Sequence, residues 1–143
     1  MITTVDFTYK PSDEESEKAS NSYLMSVIAL MAGLPFPIIN LIATFAFFMA
    51  NRKSSFFVRW HCWQALLSQF SFIFMNSASF YWTLAIIFGN SEFSNNYIAF
   101  IITVIVFNLI EFVATIYTAI QTRKGKHIKW WFYSDLTNLI CRN

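Results

Sequence analysis

Glu111 is the residue whose type and position most invite a chemical reading, because it stands inside an apolar run from Tyr97 to Gln121 that holds no Lys or Arg. An ionisable group in such a run is costly to place in hydrocarbon, and marks a protein interior or a water-filled path. On a helical wheel Asn108, Glu111, Thr115, Thr118 and Thr122 share an arc of about 80°, from the 100° step of an α-helix. His61, Gln64, Ser68, Ser71 and Ser79 share a similar arc in the preceding apolar run. Two polar stripes on neighbouring membrane helices are expected to face each other, since unsatisfied polar groups in lipid cost energy and small hydroxyl residues let helices approach closely. Counting inward at about 1.5 Å per residue puts Glu111, Ser71 and Asn40 at similar depth. The expectation is one intramembrane polar cluster of Asn40, Ser68, Ser71, Asn108, Glu111 and Thr115, with Glu111 protonated and hydrogen-bonding because no cation lies at that depth.

The remaining reactive residue types point to no chemistry. His61 has no second His, Asp or Cys at a ligand spacing, and His127 lies in another segment, so an interfacial histidine is expected and no metal site. Cys62 and Cys141 are far apart and read as free thiols. With three Gly in the chain, a Gly-rich phosphate loop is nearly excluded, and neither a nucleophile elbow nor a metalloprotease box is present. The expectation is a protein with no catalytic residues, no metal and no cofactor, and with no nucleic-acid partner.

The elements that must position these residues follow from hydropathy. Of 143 residues, 56% are hydrophobic and 13% charged, and seventeen Phe with five Trp exceed what one small soluble core would bury. The fold class expected is an all-α integral membrane protein with three transmembrane helices. The spans are placed at about residues 23–50, 59–89 and 97–121, each long enough to cross a hydrocarbon core of roughly 20 residues. Gly33, Pro35 and Pro37 predict a kink or a short unwound turn in the first span. Phe56 to Trp63 reads as an interfacial entry to the second, with Arg59, Trp60, His61 and Trp63 suited to the headgroup layer. Residues 128–141 read as an amphipathic interfacial segment in which Ser134 caps a last helix whose Leu136, Leu139 and Ile140 share a face. Residues 1–22 read as a mobile acidic tail, and residues 23–143 as the membrane domain.

Charge sets the expected orientation. The basic segments 51–59 and 122–129 belong on the cytoplasmic side, and the turn at 90–96 outside. Three crossings then place the N-terminus outside and the C-terminus in the cytoplasm. The abundance of Ile, Phe, Asn and Lys suggests a bacterium with an AT-rich genome, and the localisation expected is the bacterial inner membrane.

Two stretches carry a resemblance to a known family: Arg59 to Leu67, RWHCWQALL, preceded by the basic NRKS of 51–54; and Ile116 to Gln121, IYTAIQ, followed by Arg123, Lys124, Gly125 and Lys126. They resemble the Tic-twenty-like family, which comprises a chloroplast inner-envelope import component and small bacterial membrane proteins. The resemblance covers roughly residues 40–140 and makes Arg59, His61 and Gln64 the motif positions. The chain departs from the family pattern in two respects: three spans stand where plant members have four, and Trp130 and Trp131 stand where Ile-Pro is common.

The function expected is that of a non-enzymatic small membrane subunit or assembly factor of an inner-membrane complex, with the link to protein translocation implied by the resemblance. Its partners are the lipid bilayer and other membrane proteins or further copies of the chain. The competing reading is an oligomeric small transporter or channel with Glu111 lining the path.

Overall fold

The computed structural model describes residues 2–33, 37–89, 91–130 and 132–141, except for the side chains of 29–33, 37 and 40. Among these residues are five helices and a two-stranded ribbon: β1 (Ile2–Val5), α1 (Asp13–Gly33), α2 (Pro37–Asn51), α3 (Phe56–Ile87), α4 (Asn95–Arg123), β2 (His127–Trp130) and α5 (Tyr133–Ile140). The expected helical class is therefore met apart from the ribbon, while the number and course of the spans differ.

The helix ends follow from local chemistry. α1 starts with a capping box in which the Ser12 hydroxyl accepts from the Glu15 N–H at 3.2 Å and the Glu15 carboxylate accepts from the Ser12 N–H at 2.8 Å. Acidic residues Asp13, Glu14 and Glu15 fill its first turn, where the positive end of the helix dipole favours them. α4 starts on Ser94, whose side chain accepts from the Tyr97 N–H. It stops at Gly125, whose φ of 75° admits the left-handed turn. The Gly125 N–H bonds the Thr122 carbonyl and the Lys126 N–H bonds the Gln121 carbonyl, which closes the helix in a Schellman turn.

α3 and α4 form an antiparallel hairpin. Its rungs are Ser68 with Glu111, Asn76 with Asn108, and Thr83 with Tyr97. These are the helices long and apolar enough to cross a membrane, among the described residues, and only 6% and 17% of their apolar windows are buried inside the protein. Surfaces so apolar and so uncovered suit lipid as their solvent.

The first apolar run behaves differently. It is shared between α1 and α2, and these two helices run in opposite directions. Along α1, Glu17 meets Arg123 at 3.6 Å, Ser20 donates to the Ala119 carbonyl at 2.8 Å, and Tyr23 reaches His61. Further on, Ser26 and Val27 border Gln69, Phe72, Glu111 and Thr115. α1 thus descends beside the start of α3. α2 returns along the other side of α3, with Leu41 and Ile42 near Phe70 and Phe48 against Trp63 at 4.6 Å. Fifteen residues give α2 a length of about 22 Å, short of the roughly 30 Å of a hydrocarbon core. The third crossing expected over 23–50 is replaced by a helical hairpin that enters and leaves at one end of the bundle. The kink expected around Gly33, Pro35 and Pro37 falls on residues 34–36, which lie outside the described residues.

β1 pairs antiparallel with β2 in the register Ile2 to Trp130 and Val5 to His127. This pairing corrects three expectations. The first 22 residues hold a strand and the first half of α1 instead of a mobile tail. Residues 127–130 form a strand before the short helix α5, within which Ser134 is buried in the first turn and does not cap the helix. The N-terminal and C-terminal segments lie at the same end of the bundle, whereas the expectation placed them on opposite sides of the membrane.

Burial follows the same division. In α3 the buried residues run from Phe57 to Phe72 and none follows. Small residues on α1, including Ser16, Ala19 and Ser20, are buried against the buried face of α4 at Thr118, Ala119 and Thr122. Small side chains let these helices approach closely. The molecule is thus a packed headpiece at one end of a two-helix stem.

Single-cysteine labelling in a Cys141→Ser background, with the buried Cys62 retained, checks this course. Lys10→Cys, Lys53→Cys and Lys124→Cys should label from one side of the membrane and Glu92→Cys from the other. Labelling of Lys10→Cys together with Glu92→Cys would restore the three-span topology.

Candidate functional site

The headpiece is built around a chain of buried polar side chains from three separate segments. Gln64 of α3 donates from Nε2 to the Tyr23 hydroxyl at 2.9 Å and to the Ile128 carbonyl at 3.2 Å, while its Oε1 accepts from the Trp130 N–H at 3.3 Å. The Tyr23 hydroxyl lies 2.8 Å from Nδ1 of His61, and Nε2 of His61 lies 3.1 Å from Nδ1 of His127. Gln64 and His61 are fully buried, and Tyr23 and His127 nearly so. A single proton lies between the two facing imidazole nitrogens, so one of them donates and the other accepts. One arrangement consistent with neutral rings has Tyr23 donating to His61 Nδ1 and His61 donating from Nε2 to Nδ1 of His127, which leaves the His127 proton on Nε2.

Aromatic rings pack around this chain. Trp60 packs on His127 with ring centroids 4.3 Å apart, Phe57 on His61 at 4.5 Å, and Phe7 on His127 at 4.8 Å. Trp60 itself is held by donating from Nε1 to Asn138 of α5, and Trp130 by donating to Thr118. Burial, with a smaller push from the Lys129 ammonium, holds the His127 imidazole down at about 4. The neutral form is therefore the folded form at physiological pH.

A second polar group sits where the headpiece meets the stem. Oε1 of Glu111 accepts from Ser68 at 3.3 Å and from the Tyr133 hydroxyl at 3.1 Å. Burial, with the nearby Glu111 carboxyl adding to it, pushes the Tyr133 phenol up to about 12, so it remains a donor. Ser71 adjoins the same phenol. Thr115 is buried beside Glu111, along with Gln69 and Phe72.

Of the cluster read from the sequence, Ser68, Ser71, Glu111 and Thr115 are thus brought together. Asn108 is not part of it, since its amide exchanges two hydrogen bonds with Asn76 at 2.9 and 3.1 Å. The Asn40 side chain lies outside the described residues. Among the motif positions, His61 and Gln64 enter the buried chain, while Arg59 keeps a buried Nε without a partner. The separation of His61 from His127 expected from their distance in sequence is corrected by their contact. Tyr23, His127, Asn76 and Tyr133 were missed. Tyr23 and His127 sit at the edges of apolar or basic stretches, and the only signal for Tyr133 was an unpaired carboxyl needing a donor.

Residues 19–137 match the model of a family described as the magnetosome magnetite crystal formation protein family. No curated protein and no solved structure matches the chain. The match overturns the Tic-twenty-like resemblance and with it the implied link to protein translocation. RWHCWQALL is a basic and aromatic entry to a membrane helix, a pattern that the interface itself favours and that unrelated families can share.

Two outcomes test the buried chain. The folded imidazole of His127 binds its proton less readily than the unfolded one, whose value is about 6.5. Stability should then be full above about pH 6.5 and fall between there and about pH 4, by up to about 3 kcal/mol. Unfolding midpoints in detergent against pH, compared with His127→Gln, read this difference, and parallel curves would remove the claim. Tyr23→Phe should cost about 1–3 kcal/mol by leaving His61 Nδ1 and the Gln64 amide without their shared partner, and an unchanged midpoint would contradict the network.

Proposed function

Because the chain belongs to the magnetosome magnetite crystal formation protein family, we propose that it is a non-enzymatic small protein of a bacterial magnetosome membrane that takes part in forming magnetite crystals. The observation that carries this reading is the extent of the match. Residues 19–137 run from α1 into α5, so the family unit takes in most of the packed headpiece together with the stem.

The geometry supports a structural role. The two imidazoles and the glutamine are used up in holding segments together, and Glu111 spends Oε1 on locking α3 and α5 to α4. This arrangement favours an assembly component over the transporter reading, in which Glu111 would line a path. The stem offers apolar faces on both helices to lipid or to other membrane proteins. The headpiece end carries the basic segments Arg52, Lys53, Arg123, Lys124 and Lys126, so the orientation proposed has that end in the cytoplasm.

A fluorescent fusion in the producing bacterium should collect with the crystal-bearing membranes, and deletion of the protein should alter crystal number or size. An even distribution in the cell membrane, together with unchanged crystals in the deletion strain, would sink the reading.

A further inference from the structure

A cavity of about 380 Å³ opens on the side of the molecule at the junction of headpiece and stem. Phe107, Ile110 and Ala114 of α4 form one wall, Ile2 closes one edge, and Trp130, Phe132 and Tyr133 form the other wall. Among the described residues, Glu111 is the charged residue in this lining, and no Lys or Arg shares it. The rings of Trp130 and Tyr133 stand 5.6 Å apart, and those of Phe132 and Tyr133 5.8 Å apart.

The cavity has the features of a cation site facing lipid. Aromatic faces carry the negative side of their quadrupole and attract ammonium groups. Glu111 takes its described hydrogen bonds on Oε1, and among the described residues Oε2 takes none. A carboxyl with an unused oxygen at the floor of an aromatic cavity can accept from a cationic donor, and no described residue of the lining supplies one. The position of the opening says where that donor comes from. Ile110 is 63% exposed and Leu109 62% exposed, so the cavity mouth lies beside lipid-facing surface. Tyr and Trp side chains of this kind belong at the headgroup layer.

We propose that this cavity binds the primary ammonium headgroup of an aminophospholipid, with Oε2 of Glu111 as the acceptor for the ammonium, the rings of Trp130, Phe132 and Tyr133 around it, and an acyl chain along Phe107 and Ile110. The lipid ammonium supplies a positive charge that no described residue of the lining provides and so holds Glu111 as a carboxylate. The bound lipid also joins α4 to the β2–α5 segment, which ties the headpiece to the membrane. This inference stands on the cavity alone and does not depend on the role in crystal formation.

Native mass spectrometry of the full chain in mild detergent tests it, with phosphatidylethanolamine, N-acetylated phosphatidylethanolamine and phosphatidylglycerol of identical acyl chains as probes. Phosphatidylethanolamine should be retained at least tenfold better than either of the others. Glu111→Gln should abolish that preference. Ile110→Trp, which fills the mouth from an exposed position and leaves the Glu111 hydrogen bonds in place, should do the same, and it decides the matter if Glu111→Gln does not fold. Equal retention of the three lipids, or a preference that survives Ile110→Trp, would overturn the site. Displacement of the lipid by free phosphoethanolamine at equal concentration would overturn the assignment to a membrane lipid.

Discussion

The contact between His61 and His127, backed by Tyr23 on one side and Gln64 on the other, joins segments that are otherwise strung far apart along the chain. Each group in it is buried, so each must find its partner within the protein or cost the full desolvation of a polar group. That requirement fixes the turn after α4, because His127, Ile128 and Trp130 must present themselves to α3 in one register. The register of β2 in turn fixes β1, and β1 brings the N-terminus to the same end. Gly125 makes the sequence of constraints possible by ending α4 in the left-handed conformation just before His127.

Two solvents divide the molecule. In the headpiece, small residues and hydroxyls on α1 and α4 permit close approach, and aromatic rings of Phe7, Phe57 and Trp60 seal the imidazoles. In the stem, α3 and α4 touch through a few polar rungs, of which the paired amides of Asn76 and Asn108 are the most symmetrical. Interhelical hydrogen bonds are natural glue where lipid tails are as apolar as the side chains and no hydrophobic driving force separates helix from lipid. Glu111 lies on the boundary, bonded to α5 and to α3 and open to the lateral cavity.

Much of the helical content was legible. The apolar runs, the short polar turn between α3 and α4, and the facing of Ser68 and Ser71 toward Glu111 follow from helical periodicity, because a polar group in lipid has few places to go. The capping box at Ser12 and Glu15 was also legible in principle. Its acidic residues read as solvated charge, since propensity for disorder and a favourable helix start use the same residue types. Asn108 was misplaced because a wheel gives direction around a helix but leaves open which of several polar partners lies across from it. The family resemblance failed for a related reason: interfacial sequences repeat across families that share only the membrane.

Hydropathy and charge in the sequence alone pointed to a helical membrane protein and placed its two long apolar helices, the polar turn between them and the basic segments at one end, while also reading a third span into residues 23–50. Those properties depend on local composition and on the solvent each segment demands. Tertiary structure alone decided that the first apolar run folds into a hairpin instead of crossing, that residues 2–5 and 127–130 meet in a ribbon, and that two histidines distant in sequence are hydrogen-bonded. These depend on contacts across tens of residues, where burial forces partners together and spacing along the chain says nothing about which partners they are.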